Sequence, residues 1–113
     1  MFGRDKDGID PIALDDRRGE MTVLDVRDPY EWQAGHIDGA VHVPLSALAG
    51  KVASIDQGRP VAVICRSGNR SRAAVRFLKS NGVDAHNVSG GMVAWSRHKL
   101  PIVTDRGRPG TVA

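Results

Sequence analysis

Val61-Ala62-Val63-Ile64-Cys65-Arg66-Ser67-Gly68-Asn69-Arg70-Ser71 joins two kinds of pattern. The first four residues are all apolar and three are β-branched, as in a strand covered on both faces of a parallel sheet. From Ser71 to Ser80 the period changes to that of a helix, with Ala74, Phe77 and Leu78 on one face and Arg72, Arg76 and Lys79 mostly off it. The single cysteine of the chain therefore sits where a strand hands over to a helix N-terminus. Backbone N–H groups in a first helical turn have no intrahelical partner, and their dipoles sum to partial positive charge. Gly68 lets the connecting loop curl so that successive amides face one centre. Arg66, Arg70 and Arg72 add formal charge nearby. A cysteine after an apolar strand is in most proteins a buried structural residue. Here the arginines and the glycine favour a reactive thiolate instead.

Outward from this stretch, strands and helices alternate. Asp10-Pro11 and Asp28-Pro29 each place a capping carboxylate before a proline, so two short helices are expected, ended by Gly19 and Gly35. Strands are expected over 21–26, 40–43 and 85–88, a weak helix over 46–52, and a helix from Met92 to about His98. Short connections between alternating elements indicate an α/β domain with a mainly parallel sheet. In such sheets ligands collect at the carboxyl ends of strands, where Cys65 lies. The reading divides the chain into a ragged start over 1–8, a domain over 9–101 and a mobile tail over 102–113, the last from Gly107, Pro109 and Gly110.

Composition narrows the classes of function. A chain of 113 residues with 41% hydrophobic and 26% charged residues is long enough and apolar enough for one folded core. One cysteine excludes an internal disulfide and a Cys-rich metal site. The charged stretch Met1–Asp10 has no apolar segment of a signal peptide, and no run approaches the length of a membrane span, so a cytoplasmic setting and no membrane partner are expected. A net charge of +3 is too mild, and aromatics at 4% too sparse, for a nucleic-acid partner.

Three blocks, in order, resemble the signatures of the rhodanese family. Leu24-Asp25-Val26-Arg27 with Tyr30-Glu31-Trp32, Gly35 to Ala40 and Val43-Pro44 resembles the N-terminal one. Cys65 to Ser71 resembles the active-site loop, and Gly90-Gly91-Met92-Val93-Ala94-Trp95 the C-terminal one. Together the blocks span about Ile9 to Leu100. The resemblance implies a three-layer α/β/α fold with a five-stranded parallel sheet in the order 3-2-4-5-1. It implies a sulfurtransferase in which Cys65 is the nucleophile and cycles between thiolate and persulfide. The loop amides from Arg66 to Ser71, with Ser67, Gly68, Asn69 and Arg70 between them, correspond to the cradle for the terminal sulfur. Ser67 stands where some thiosulfate-using members carry lysine.

Sulfur transfer needs a soft nucleophile that can also carry sulfur, and a ring of N–H groups fits the outer atom of a persulfide as an oxyanion hole fits oxygen. No cofactor is required. The resemblance implies a small anionic donor such as thiosulfate. Cyanide, a small thiol or a protein thiol is the expected acceptor, an external one because no second cysteine can release the sulfur internally. Two alternatives stand beside this. A Cys-based phosphatase or arsenate reductase of related loop type would place five residues between Cys and Arg, where this chain has four between Cys65 and Arg70. A persulfide carrier or interaction module would load sulfur but turn over slowly. Arg66 is expected at the mouth and Arg70 as a brace of the loop. Asp25 is expected to pair locally, Arg27 and Glu31 to form an ion pair, His36 to bond to backbone, and Trp32 and Trp95 to lie in the core. Gly90-Gly91 is expected to mark a close approach to the loop.

Overall fold

The apolar run Val61–Ile64 forms the central strand of the sheet and is buried along its whole length. In the computed structural model, which describes residues 8–113, the elements follow the alternation of the sequence. They are α1 (Pro11–Arg17), β1 (Thr22–Asp25), α2 (Pro29–Ala34), β2 (Val41–His42), α3 (Leu48–Lys51), β3 (Val61–Ile64), α4 (Asn69–Ser80), β4 (Ala85–Asn87) and α5 (Gly91–Arg97). The ragged start expected over 1–8 lies, but for Gly8, outside the described residues. The weak helix expected over 46–52 is broken into α3 between two single 3₁₀ turns, Leu45–Ala47 and Val52–Ser54.

Among the described residues four strands form one parallel sheet in the order β2-β1-β3-β4. The side-chain period of two sends Val61 and Val63 to one face and Ala62 and Ile64 to the other. Leu24, Ala74, Val75 and Leu78 pack on the first face, under α4. Leu14, Val23, Met92 and Trp95 pack on the second, under α1 and α5. The three-layer α/β/α arrangement follows from that division. Among the described residues the fifth strand implied by the resemblance is not formed. A single parallel bridge from Ile9 to Val88 stands at the β4 edge in its place. Asp10 already caps α1 by accepting from the Ala13 N–H at 2.9 Å, and Pro11 has no N–H to extend a ladder. The pairing therefore does not continue past Ile9 toward α1.

Residues 102–113, expected as a tail, lie against the domain. Val103 and His36 exchange two backbone hydrogen bonds of 2.9 Å, and the Thr111 N–H donates to the Ala34 carbonyl at 2.9 Å. A Cβ on Gly35 would stand 2.6 Å from both Ile102 Cγ2 and the Thr111 carbonyl oxygen. Glycine at 35 thus lets the two backbones touch. Among the described residues no helix is long and apolar enough to cross a membrane.

Candidate active site

Where β3 ends, the chain bends into α4 through Cys65, Arg66, Ser67 and Gly68. Helix α4 begins two residues earlier than the sequence pattern suggested, because Gly68 takes the N-cap position with φ +109°. Asn69, Arg70 and Ser71 thereby form its first turn. The free amide of Ser71 points back at the cysteine, and its N–H lies 3.4 Å from Cys65 Sγ. The Gly68 N–H lies 3.1 Å from the same sulfur, and Ser71 Oγ is 3.3 Å away. Cys65 is 1% exposed and Ser71 fully buried, so these contacts form in a low-dielectric setting.

The loop is held by its carbonyls. The Met92 N–H donates to the Cys65 carbonyl at 2.8 Å and the Val93 N–H to the Arg66 carbonyl at 2.9 Å. Both donors are first-turn amides of α5, which would otherwise lack partners. With the carbonyls turned outward to α5, loop amides are left to turn toward sulfur. Gly91, with φ +58°, makes the approach possible: a Cβ there would stand 2.6 Å from the Arg66 carbonyl oxygen. The expected close approach at Gly90-Gly91 is present.

The charged residues separate into two pairs. Arg70 forms a fork on Glu31, with Nη1 on Oε1 at 2.6 Å and Nη2 on Oε2 at 2.8 Å. Arg27 is fully buried and forks onto Asp25, with bonds of 2.8–3.1 Å, while Nη2 also donates to the Gly35 carbonyl at 2.8 Å. The expected Arg27–Glu31 ion pair is therefore corrected. Arg27 turns back onto its own strand end. Glu31, in the first turn of α2, takes the Asp28 N–H at 3.0 Å and presents its outer edge to Arg70. The Arg70 fork holds the Glu31 carboxyl below its ordinary range, against burial, which pushes it up; the Asp28 N–H and the charges of Arg70 and Arg27 add to the lowering. Glu31 in turn holds the Arg70 guanidinium even more firmly protonated than usual.

The remaining candidates are spread along the rim. Arg66, Ser67 and Asn69 are exposed, and Arg66 Nε donates to the Ala113 carbonyl oxygen at 3.0 Å. Asp25 pairs locally, as expected. His36 Nδ1 donates to the Trp32 carbonyl at 2.8 Å, also as expected, and His42 Nε2 donates to the Arg27 carbonyl at 2.8 Å. Trp95 is in the core. Trp32 is half-buried, its ring stacked on His36 and His42. No local pattern marks Asn87, which reaches Ser71 from β4 through its side-chain oxygen, or the bond between Glu31 and Arg70.

A rhodanese-like domain family model matches residues 11–98. The chain belongs to the rhodanese-like domain family. It is 35% identical over 103 residues to a sulfurtransferase of Allochromatium vinosum, covering 88% of this chain and 96% of that protein. It is 35% identical over 113 residues to an HTH-type transcriptional regulator of Mycobacterium tuberculosis, covering 96% of this chain. The chain spans about half the length of that regulator, 49%. Among solved structures, a rhodanese-related protein of Thermoplasma volcanium superposes with a TM-score of 0.84 at 37% identity, covering 87% of this chain and 98% of the other. A thiosulfate sulfurtransferase of Pseudomonas aeruginosa superposes with a TM-score of 0.80 at 28% identity, covering 90% of this chain and 20% of that one. For this rhodanese-like domain, sulfurtransferase chemistry is supported at the level of the family.

Proposed function

We propose that this rhodanese-like domain is a sulfurtransferase that works through a persulfide on Cys65. The observation that carries the reading is the convergence of the Gly68 and Ser71 N–H groups and the Ser71 hydroxyl on one sulfur. The Cys65 thiolate attacks the outer sulfur of a small anionic donor such as thiosulfate. Its electron pair forms the new S–S bond, and the donor's S–S pair leaves with sulfite. The product, Cys–S–S⁻, is discharged when cyanide, a small thiol or a protein thiol takes the outer sulfur and the thiolate returns. The cradle amides, Arg66 to Ser71, receive the outer atom. Arg66 attracts the donor at the rim, in a reducing, cytoplasmic setting.

Arg70 speaks against the phosphatase alternative. Both of its terminal nitrogens are spent on Glu31, so it braces the loop and is not available to grip a tetrahedral oxyanion. Cys65 is 1% exposed, and a carrier and a turnover enzyme both need a donor at its sulfur, so burial does not choose between them. The deciding experiment is mass spectrometry of the intact protein after incubation with thiosulfate, followed by cyanide. A gain of one sulfur atom, mapped to Cys65, removed by cyanide and absent from Cys65→Ser, is the expected result. No adduct, or an adduct that survives in Cys65→Ser, would overturn the assignment. Fast loading without steady-state thiocyanate production would select the carrier.

A further inference from the structure

Asn87 is a polar side chain, 3% exposed, at the end of β4, where its backbone pairs with Val63 of β3. Its Oδ1 accepts a hydrogen bond from Ser71 Oγ. Its Nδ2 lies under the active-site loop, 3.7 Å from where a Cβ on Gly68 would stand. Ser71 is fully buried and carries one hydroxyl proton. Three groups face that proton: Asn87 Oδ1, the Gly68 carbonyl at 3.1 Å and Cys65 Sγ at 3.3 Å. One proton cannot serve all three. With the proton toward Asn87, Ser71 Oγ turns a lone pair to sulfur, which suits an S–H donor and opposes a thiolate. With the proton toward sulfur, the thiolate gains a donor beside the two amides.

We infer that Asn87 is a positioning residue that sets the charge state of Cys65 by competing with its sulfur for the Ser71 hydroxyl proton. In the thiol the bonds run in one direction, from Cys65 S–H to Ser71 Oγ and from Ser71 O–H to Asn87 Oδ1. Loss of the thiol proton turns the Ser71 hydroxyl to sulfur and leaves Asn87 Oδ1 with one donor fewer. Asn87 thus disfavours charge on the inner sulfur. The consequence for turnover rests on the function proposed above: in a persulfide the charge moves to the outer atom, and the Ser71 proton can return to Asn87. The carboxamide then favours the loaded state over the bare thiolate.

Because Cys65 is the chain's single cysteine, thiolate ultraviolet absorbance, taken as a difference from Cys65→Ser, can be titrated without any sulfur donor. Asn87→Leu keeps the side-chain size and removes the acceptor. Its thiolate midpoint is expected about one pH unit below that of the parent protein. In the Ser71→Ala background the same substitution is expected to leave the midpoint in place. An unchanged or raised midpoint in Asn87→Leu overturns the inference, and so does an equal shift in both backgrounds, which would mark a merely structural effect. If Asn87→Leu does not fold, Asn87→Ala carries the same two expectations. The titration is independent of sulfur uptake: a protein that never accepts sulfur can still give the shift, and a competent sulfurtransferase can fail to give it.

Discussion

Glu31 and Arg70 illustrate how a single residue's partner decides its role. Spacing across a helix start suggested that Arg27 and Glu31 pair, yet Arg70 reaches Glu31 from the first turn of α4, 39 positions away. Glu31 is 2% exposed and Arg70 34%, so the pair is half-shielded and solvent screening reduces its worth. Glu31→Gln is expected to lower stability at neutral pH by about 1 to 2 kcal/mol. The pH dependence has a definite sign. The folded-state carboxyl titrates below its unfolded value because of the Arg70 fork. Its contribution is therefore fully present above about pH 4.3 and is lost as pH falls through the depressed value. Denaturant melts of the two proteins should differ at pH 7 and converge in acid. A gap that stays constant or widens in acid would show that the carboxylate is not what is lost.

At the scale of elements, the loop from Cys65 to Gly68 depends on α5 as much as on β3 and α4. The first-turn amides of α5 hold the Cys65 and Arg66 carbonyls, and Gly91 is what permits the contact. Gly91→Ala would set a methyl against the Arg66 carbonyl and strain a left-handed backbone. A loss of about 2 kcal/mol or more is expected. The loop amides should exchange hydrogen faster than in the parent, with β1 protected as before. Hydrogen exchange that leaves the loop as protected as in the parent would remove α5 from the description of the site. Elements whose signal is local were legible in the sequence. Pro11 and Pro29 with their aspartates marked α1 and α2, and the four apolar residues of β3 marked the centre of the sheet. The start of α4 lies two residues before the readable pattern because a polar first turn, Asn69 to Ser71, gives no apolar period to read.

For the whole molecule, the segment 102–113 joins distant parts of the surface. It pairs with His36, passes Gly35 and meets the Arg66 guanidinium at the rim of the candidate site. Its glycines and proline read as a mobile tail because propensity says nothing of what a strand-like segment will find to pair with. Gly35→Ala is expected to displace this segment, since the new methyl would overlap Ile102 and Thr111, while the sheet stays intact. Limited proteolysis should then cut within 102–113 in the variant and not in the parent. Equal resistance would mean that the domain yields elsewhere to make room.

The sequence by itself determined the alternation of elements, the parallel sheet and the position of one cysteine at the end of its most buried strand. Those follow from periodicity, caps and turn residues, which act over a few neighbouring positions. Tertiary structure alone decided that among the described residues the fifth strand is one bridge, that Arg70 answers to Glu31, that residues 102–113 dock, and that the Asn87 side chain meets Ser71. Each of these joins residues far apart in the chain, and no local pattern records which buried polar group will meet which partner once the layers close.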